Sequence, residues 1–427
     1  MGFRMAISKK LEQQGGKTAW LVWILSVLFV IYLFSFQTGY SIVNSSIQHE
    51  IGLTVEQIAL IAATYTWSFA VFQLFSGALL DRLGARKVLL PAIAIFTLGV
   101  FIFSQANSFG IFITAQIVLA LGACAGFVGA GYVGGQWFGM AKFSLMFGLV
   151  QCFASLFSAF NQNLIGAALE QTDWRSLFLW IGIGGIVLFI LSLFFMRDPE
   201  AAYKKNSSID TAPFIKDIFS SILRVARIPH VWMAAIYGGM VFGTLLSAGV
   251  VWAPKIMMAH GMDASASTIS ASTLWLGMAA GCLLIPWWSE HMKSRKGPAS
   301  YGIALQLTAL LMIVYIPQLN QSAVIALWFA FGFGAAAHML AFSTVADIVS
   351  IKLIGTSAAI INGFMFLIGG VLIARPGTLA SDAVSSGAVV DLQLIITATR
   401  PIQIALLIAL IVSLLIRETY PTIGSKE

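Results

Sequence analysis

Charge is what this 427-residue sequence lacks most: Asp, Glu, Lys and Arg make up 10% of it, against about 25% in ordinary soluble domains. A water-soluble chain so poor in charge has too little polar surface to cover itself, which sets aside a cytosolic enzyme or a nucleic-acid binder. Cysteine is nearly absent too. Cys124, Cys152 and Cys282 lie in apolar runs without ligand-like spacing, so neither a disulfide framework nor a metal site is expected. None of the 17 acids falls inside an apolar run; all occur in predicted loops or at helix ends. With no Ser/His/Asp constellation, no paired carboxylates within the membrane and no ATP-binding cassette, catalysis and ATP-driven pumping are not expected, and no cofactor is called for. Gly15-Gly-Lys-Thr18 imitates a phosphate loop, but Leu11 stands where the loop needs its first glycine and no strand precedes it. Asn44-Ser-Ser46 fits a glycosylation triplet that is too common to assign a compartment.

What the chain has in abundance is apolar sequence, 59% of its residues. Loop signals divide it into twelve runs, near 19–46, 54–80, 86–106, 109–138, 143–169, 174–196, 229–257, 264–289, 299–317, 321–348, 353–375 and 395–416. About 20 apolar residues cross a bilayer as a helix. The runs therefore predict an all-α membrane protein of twelve transmembrane helices, with no room left for a sizeable soluble domain. The first run is too long for a signal-peptide core and lacks a cleavage site, so it is expected to stay as an anchor. If the N-terminus is cytoplasmic, inner loops and tails hold 20 of the 24 Lys and Arg residues. The exceptions are Arg175, Lys255, Arg375 and Arg400. That bias places both termini in the cytoplasm, and the expected location is a bacterial inner membrane.

The longest charged connection, 198–228, separates residues 1–197 from 229–427. Its stretch from Pro213 to Arg227 alternates apolar and basic residues at helical spacing, which predicts a helix on the inner membrane surface. The residues around Lys204 to Ser208 read as flexible linker. Asp81-Arg-Leu-Gly-Ala-Arg-Lys87 aligns with Glu290-His-Met-Lys-Ser-Arg-Lys296 at an offset of 290 − 81 = 209. The same offset relates neighbouring spans, so two pseudo-symmetric six-helix bundles are expected, with a solute site between them at mid-membrane.

Gly77-Ala-Leu-Leu-Asp-Arg-Leu-Gly-Ala-Arg-Lys87 closely resembles the motif between the second and third helices of the major facilitator superfamily. The likeness extends nearly end to end. Asp173-Trp-Arg-Ser-Leu-Phe178 is similar to the family's sixth-helix motif, and Gln116, Gly122 and Gly126 resemble its fourth-helix motif with Gln116 in place of the usual Arg. The antiporter motif has no match in the fifth helix, and the run from Phe147 to Asn163 is similar to bacterial carriers related to lysosomal dipeptide transporters. The resemblance implies alternating access. It assigns gating to Gly77, Asp81, Arg82, Gly84, Arg86 and Lys87, with Asp81 capping the eleventh helix. Glu290, Arg295 and Lys296 would form a second latch against the fifth helix, with Asp347 placed to pair with Arg295 or Lys296. The alternative is that these are ordinary loop charges.

Ionisable residues inside a membrane are costly and usually functional. Only His338 is titratable near mid-depth, which makes it the proton-coupling candidate; the alternative is a neutral His bonded to a neighbouring carbonyl. Uncharged candidates for solute contact are Tyr32, Gln37, Trp67, Asn161, Gln162, Tyr237, Trp275 and Asn362. Such a cavity suits a zwitterion, so amino acids or short peptides are the expected cargo. The competing readings are an exporter of siderophore or drug-like compounds and a non-transporting sensor. The expected partners are a small solute, the bilayer and coupled protons, with the chain acting as a monomer and without nucleic acid.

Overall fold

The computed structural model describes residues 15–53, 55–139, 142–169, 171–199, 211–316, 318–385 and 391–421. The linker around Lys204 to Ser208 lies outside them, as do the side chains of Asn44 and Gln162. Helices account for nearly all of the described residues, and each of the twelve predicted runs coincides with one. The first to third spans are Lys17–Ile51, Val55–Leu83 and Ala85–Ser104. The fourth is in two pieces, Phe109–Ala123 and Gly126–Phe138, and the fifth and sixth are Phe143–Leu169 and Trp174–Phe195. A connecting helix, Thr211–Ala226, follows. The seventh span, Pro229–Ser247, widens into a π turn before Ala253–Ala259, and the eighth and ninth are Ala264–Met292 and Lys296–Tyr315. The tenth passes through a 3-10 turn between Gln321–Ala335 and Met339–Ala346, and the eleventh and twelfth are Ile354–Ser385 and Leu392–Leu415.

Among the described residues, nine helices are long and apolar enough to cross a membrane by length and composition. The second, fifth and eighth spans are also long, at 29, 27 and 29 residues. The exposed surface is apolar, as a lipid-facing one must be: Trp180 and Phe194 in the sixth span are 68% and 66% exposed. The internal repeat is visible in the helix bounds. Shifting Val55–Leu83 by 209 residues gives 264–292, the bounds of the eighth span. The offset grows to 392 − 174 = 218 at the starts of the sixth and twelfth spans, and the eleventh span, at 32 residues against 27 in the fifth, accounts for part of the increase.

By contact density the chain forms two units, Met1–Ile228 with Val349–Gly363, and Pro229–Ile348 with Phe364–Glu427. The eleventh span is thus shared: its first turns belong to the first unit. Inside lipid there is no hydrophobic drive to pair helices, so dispersion and close fit do the holding. In the first unit that fit is aromatic, with Phe103 meeting Phe36, Phe112 and Phe178 at ring-centroid distances of 5.1, 5.1 and 4.9 Å.

The eleventh span runs well beyond the predicted stop near residue 375, straight through Pro376. Proline removes the N–H that would bond Leu372 O four residues back. Ser247 Oγ, from the seventh span, donates to that orphaned carbonyl at 2.7 Å, and Trp252 Nε1 donates to Ile373 O at 3.2 Å. A neighbouring helix supplies what the proline took away, which is how membrane helices tolerate it.

Candidate functional site

Asp81 lies in the last turn of the second span, beside the start of the eleventh. Its Oδ1 accepts from Gly355 N at 3.0 Å; Oδ2 accepts from Thr356 N and Thr356 Oγ1, both at 2.8 Å. A helix N-terminus has unpaired N–H groups and a partial positive charge, so a carboxylate there is doubly favoured. The bonds need backbones in contact. A Cβ on Gly77 would lie 2.0 Å from Gly355 O, and one on Gly355 would lie 2.7 Å from Asp81 Oδ1. Two turns further along, a second polar rung joins the same helices. Asn362 Nδ2 donates to Gln73 Oε1 at 2.9 Å, and Gln73 Nε2 donates to Ser76 Oγ at 2.7 Å, with Gln73 fully buried. Gln73 lies ten residues from Leu83, about 15 Å along the helix. That is about half the hydrocarbon thickness.

The basic residues of the motif turn elsewhere. Arg82 Nη1 pairs with Asp217 at 2.9 Å and Nη2 donates to Ser221 Oγ at 3.1 Å, tying the connecting helix to the motif. Arg86 Nη2 donates to Leu193 O at 3.0 Å, and Lys87 is exposed. The start of the third span is capped by a residue the sequence reading did not single out. Asp198 Oδ1 accepts from Ala85 N at 2.8 Å and Arg86 N at 3.2 Å. Burial holds Asp198 above the ordinary aspartate range, although the Arg86 and Ala85 N–H groups pull it down. Gly84 makes room for it: φ is +81°, and a Cβ there would lie 2.8 Å from Asp198 Oδ2.

The second copy repeats this device. Lys293, equivalent to Gly84 at the offset of 209, also has a positive φ of 49°. Glu418 takes the part of Asp198, each acid lying three residues past the end of its bundle's last span. It accepts from Arg295 N at 2.8 Å and Lys296 N at 3.2 Å. Burial opposes its charge, but these bonds with those from Ser294 and Tyr420 hold Glu418 below the ordinary glutamate range. Arg295 is nearly enclosed; its Nε meets Asp347 at 2.9 Å and its Nη1 meets Glu290 at 2.7 Å. Tyr420 donates to Glu290 Oε2 at 3.0 Å and lies under the Arg295 guanidinium, 4.8 Å from ring centroid to Cζ. Burial also lifts Asp347 above the usual range, against the pull of Arg295. Both oxygens of Glu290 are engaged inside its own unit, by Arg295 and by the tail residue Tyr420.

The mid-depth candidates separate into groups. Asn161 Nδ2 donates to Ser35 O at 3.2 Å, joining the fifth span to the first. Tyr32 is buried, and a Cβ on Gly185 would lie 2.3 Å from its hydroxyl and 2.5 Å from Thr97 Oγ1. Tyr237 is buried with its hydroxyl 3.5 Å from Thr344 Oγ1, and Trp275 packs on Gly249 of the seventh span. These four are buried and packed within their own units. Gln37 lies beside the hydroxyl of Tyr65, and Trp67 is 51% exposed. His338 forms part of the 3-10 turn in the tenth span. Its Nδ1 lies 2.8 Å from Ala335 O, so this nitrogen carries the proton, and the ring faces Phe242 at 4.9 Å.

Comparison with known proteins agrees with this architecture. The profile of the Major Facilitator Superfamily matches residues 24–374. The probable sulfoacetate transporter SauU of Cupriavidus necator is 25% identical over 177 residues, 41% of this chain and 41% of that one. The probable galactarate/D-glucarate transporter GudP of Bacillus subtilis is 26% identical over 205 residues, 45% of this chain and 44% of that one. Each match spans less than half the length of the relative. The crystal structure of the E. coli fucose:proton symporter FucP superposes with a TM-score of 0.66 at 15% identity, covering 93% of this chain and 99% of that one. With the profile spanning most of the chain and the helices in this order, the protein is a multi-pass membrane protein and belongs to the Major Facilitator Superfamily.

Proposed function

We propose that this chain is a secondary transporter that moves a small hydrophilic organic acid by alternating access, with the second and eleventh spans parting and rejoining in each cycle. The observation that carries the reading is the Asp81 cap on Gly355 and Thr356. It rests on three hydrogen bonds and a helix terminus, which an opening of a few ångströms removes together. Gly77 permits the contact, Gln73 and Asn362 extend it, and Arg82, Gly84 and Arg86 anchor the loop that carries it. Arg295, with Glu290, Asp347 and Lys296, braces the equivalent loop of the second copy. The excess of basic residues on one side supports cytoplasmic termini.

The cargo class comes from the relatives. The amino acids or peptides expected from uncharged mid-depth side chains find no support there, since SauU and GudP are named for sulfoacetate, galactarate and glucarate. Protons are the proposed coupling ion, with His338 as the proposed site. Its Nε2 is buried without a partner among the described residues, so charging it requires the tenth span to open.

Uptake into proteoliposomes tests both parts. Labelled D-glucarate and sulfoacetate should accumulate when the outside is acidified, and unlabelled organic acids should compete while amino acids do not. Failure of both solutes, with competition by amino acids for some other cargo, would overturn the cargo assignment. Accumulation that survives His338→Ala would remove His338 from the coupling path.

A further inference from the structure

We propose that the connecting helix Thr211–Ala226 docks on the anionic phospholipids of the membrane leaflet at the motif end of the protein. The helix has two different sides. Ile218, Ser221 and Val225 are buried, at 7%, 3% and 0% exposure, and Arg82 holds Asp217 and Ser221 from the second span. The other side is one stripe with spacings of three, seven and eleven residues: Lys216, Phe219, Leu223 and Arg227. At 3.6 residues per turn these positions lie within about 80° of one another and extend about 17 Å, with Arg227 the residue that follows the helix. All four are exposed, Phe219 at 57% and Leu223 at 51%, with a cation at each end of the stripe and apolar side chains between.

The depth of this stripe follows from what Phe219 touches. Its ring meets Phe75 at 5.8 Å between centroids, and Phe75 lies seven residues, about 10 Å, inside the second span from Arg82. The helix therefore hangs from the motif end by Asp217 while Phe219 reaches toward the hydrocarbon. Leu223, one turn on, shares its direction. In that setting Lys216 and Arg227 stand at headgroup level, where long basic side chains extend their charge toward phosphate. Neither meets a carboxylate among the described residues. The exposed apolar pair identifies lipid, rather than water or a free phosphate, as the neighbour, and the two cations select anionic headgroups within it. Because Arg82 is adjacent to Asp81, the lipid-bound helix would share a contact with the helix end that carries the cap.

The test uses the full-length protein in nanodiscs of phosphatidylcholine alone or with added phosphatidylglycerol, carrying an environment-sensitive fluorophore at Leu223→Cys. Brominated lipid should quench the probe, and quenching should rise with the phosphatidylglycerol fraction and fall with salt. Lys216→Gln with Arg227→Gln should remove the dependence on lipid charge, each lost cation weakening the anionic-lipid response about five-fold. Lys216→Arg with Arg227→Lys should retain it. Both pairs change exposed side chains, so unaltered thermal unfolding confirms an intact fold. A probe that is not quenched, or is quenched equally in both lipids and in the double Gln variant, would overturn the proposal. The signal reports helix position and is independent of any cargo.

Discussion

Asp81→Asn keeps the shape of the cap and removes its charge. A carboxylate at a helix N-terminus contributes about 0.3–1 kcal/mol when exposed and up to about 2 kcal/mol when partly buried. The closed arrangement of the second and eleventh spans should therefore lose up to about 30-fold in relative population. A maleimide reagent directed at Ala359→Cys, which is fully buried beside Gly77 in the wild type, should react faster in the variant. Unchanged labelling would show that the charge does not hold the contact. Arg295 predicts a different kind of loss. Arg295→Ala leaves Asp347 enclosed without its partner, at a cost of about 3–5 kcal/mol in thermal unfolding, whereas exposed Lys87→Ala should be nearly neutral. Acid should affect the two capping acids in opposite senses. Glu418 is held below its ordinary range, so the stability it contributes is present above the unfolded glutamate pKa and is lost as pH falls through the lowered value. Asp198 is held above its range, so the folded chain retains that proton better and its contribution is complete at low pH. The protection of the Arg295 and Lys296 amides against hydrogen exchange, taken relative to the intrinsic rate at each pH, should fall on acidification below the ordinary glutamate range. Protection that does not change with pH would contradict the assignment.

At the scale of helices, the sequence revealed each of the twelve spans but not how they end, break or touch. The stop expected near residue 375 fails because Ser247, 125 residues before Leu372, satisfies Leu372 O; hydropathy contains nothing about such a partner. Asp81 and Arg295 were legible because a repeated acid-and-base pattern marks them. Asp198, Glu418, Tyr420 and Gln73 were not, since each acquires its role from a contact more than a hundred residues away. The spacing of Asp198 and Glu418 after the last span of each half offered a signal that only the helix ends make readable. Two substitutions probe the second–eleventh contact. Gly77→Ala puts a methyl group 2.0 Å from Gly355 O, so the closed arrangement should be lost and Ala359→Cys should label freely. Gln73→Leu strands the Asn362 amide and should cost about 1–3 kcal/mol, while adding Asn362→Leu should restore part of it. Thermal unfolding of the two single variants and the double would show this; strictly additive losses would mean that the amides do not act as a pair.

For the whole molecule, composition alone excluded the soluble classes, and the offset of 209 residues announced the duplicated architecture. Cargo was the least legible property, because a transported solute is recognised by a few side chains whose convergence depends on the complete fold. Tyr32, Asn161, Tyr237 and Trp275 illustrate the difficulty: polar or aromatic at the expected depth, they turn into their own units' packing. The central claim is that the second span and the start of the eleventh come apart and rejoin. Spin labels at Lys87→Cys, in the exposed first turn of the third span, and at Lys352→Cys, exposed just before the eleventh, measure that separation by double electron–electron resonance in nanodiscs. The account predicts two distance populations, with the longer one enriched by Asp81→Asn. A single distance, unchanged by that substitution, would contradict it.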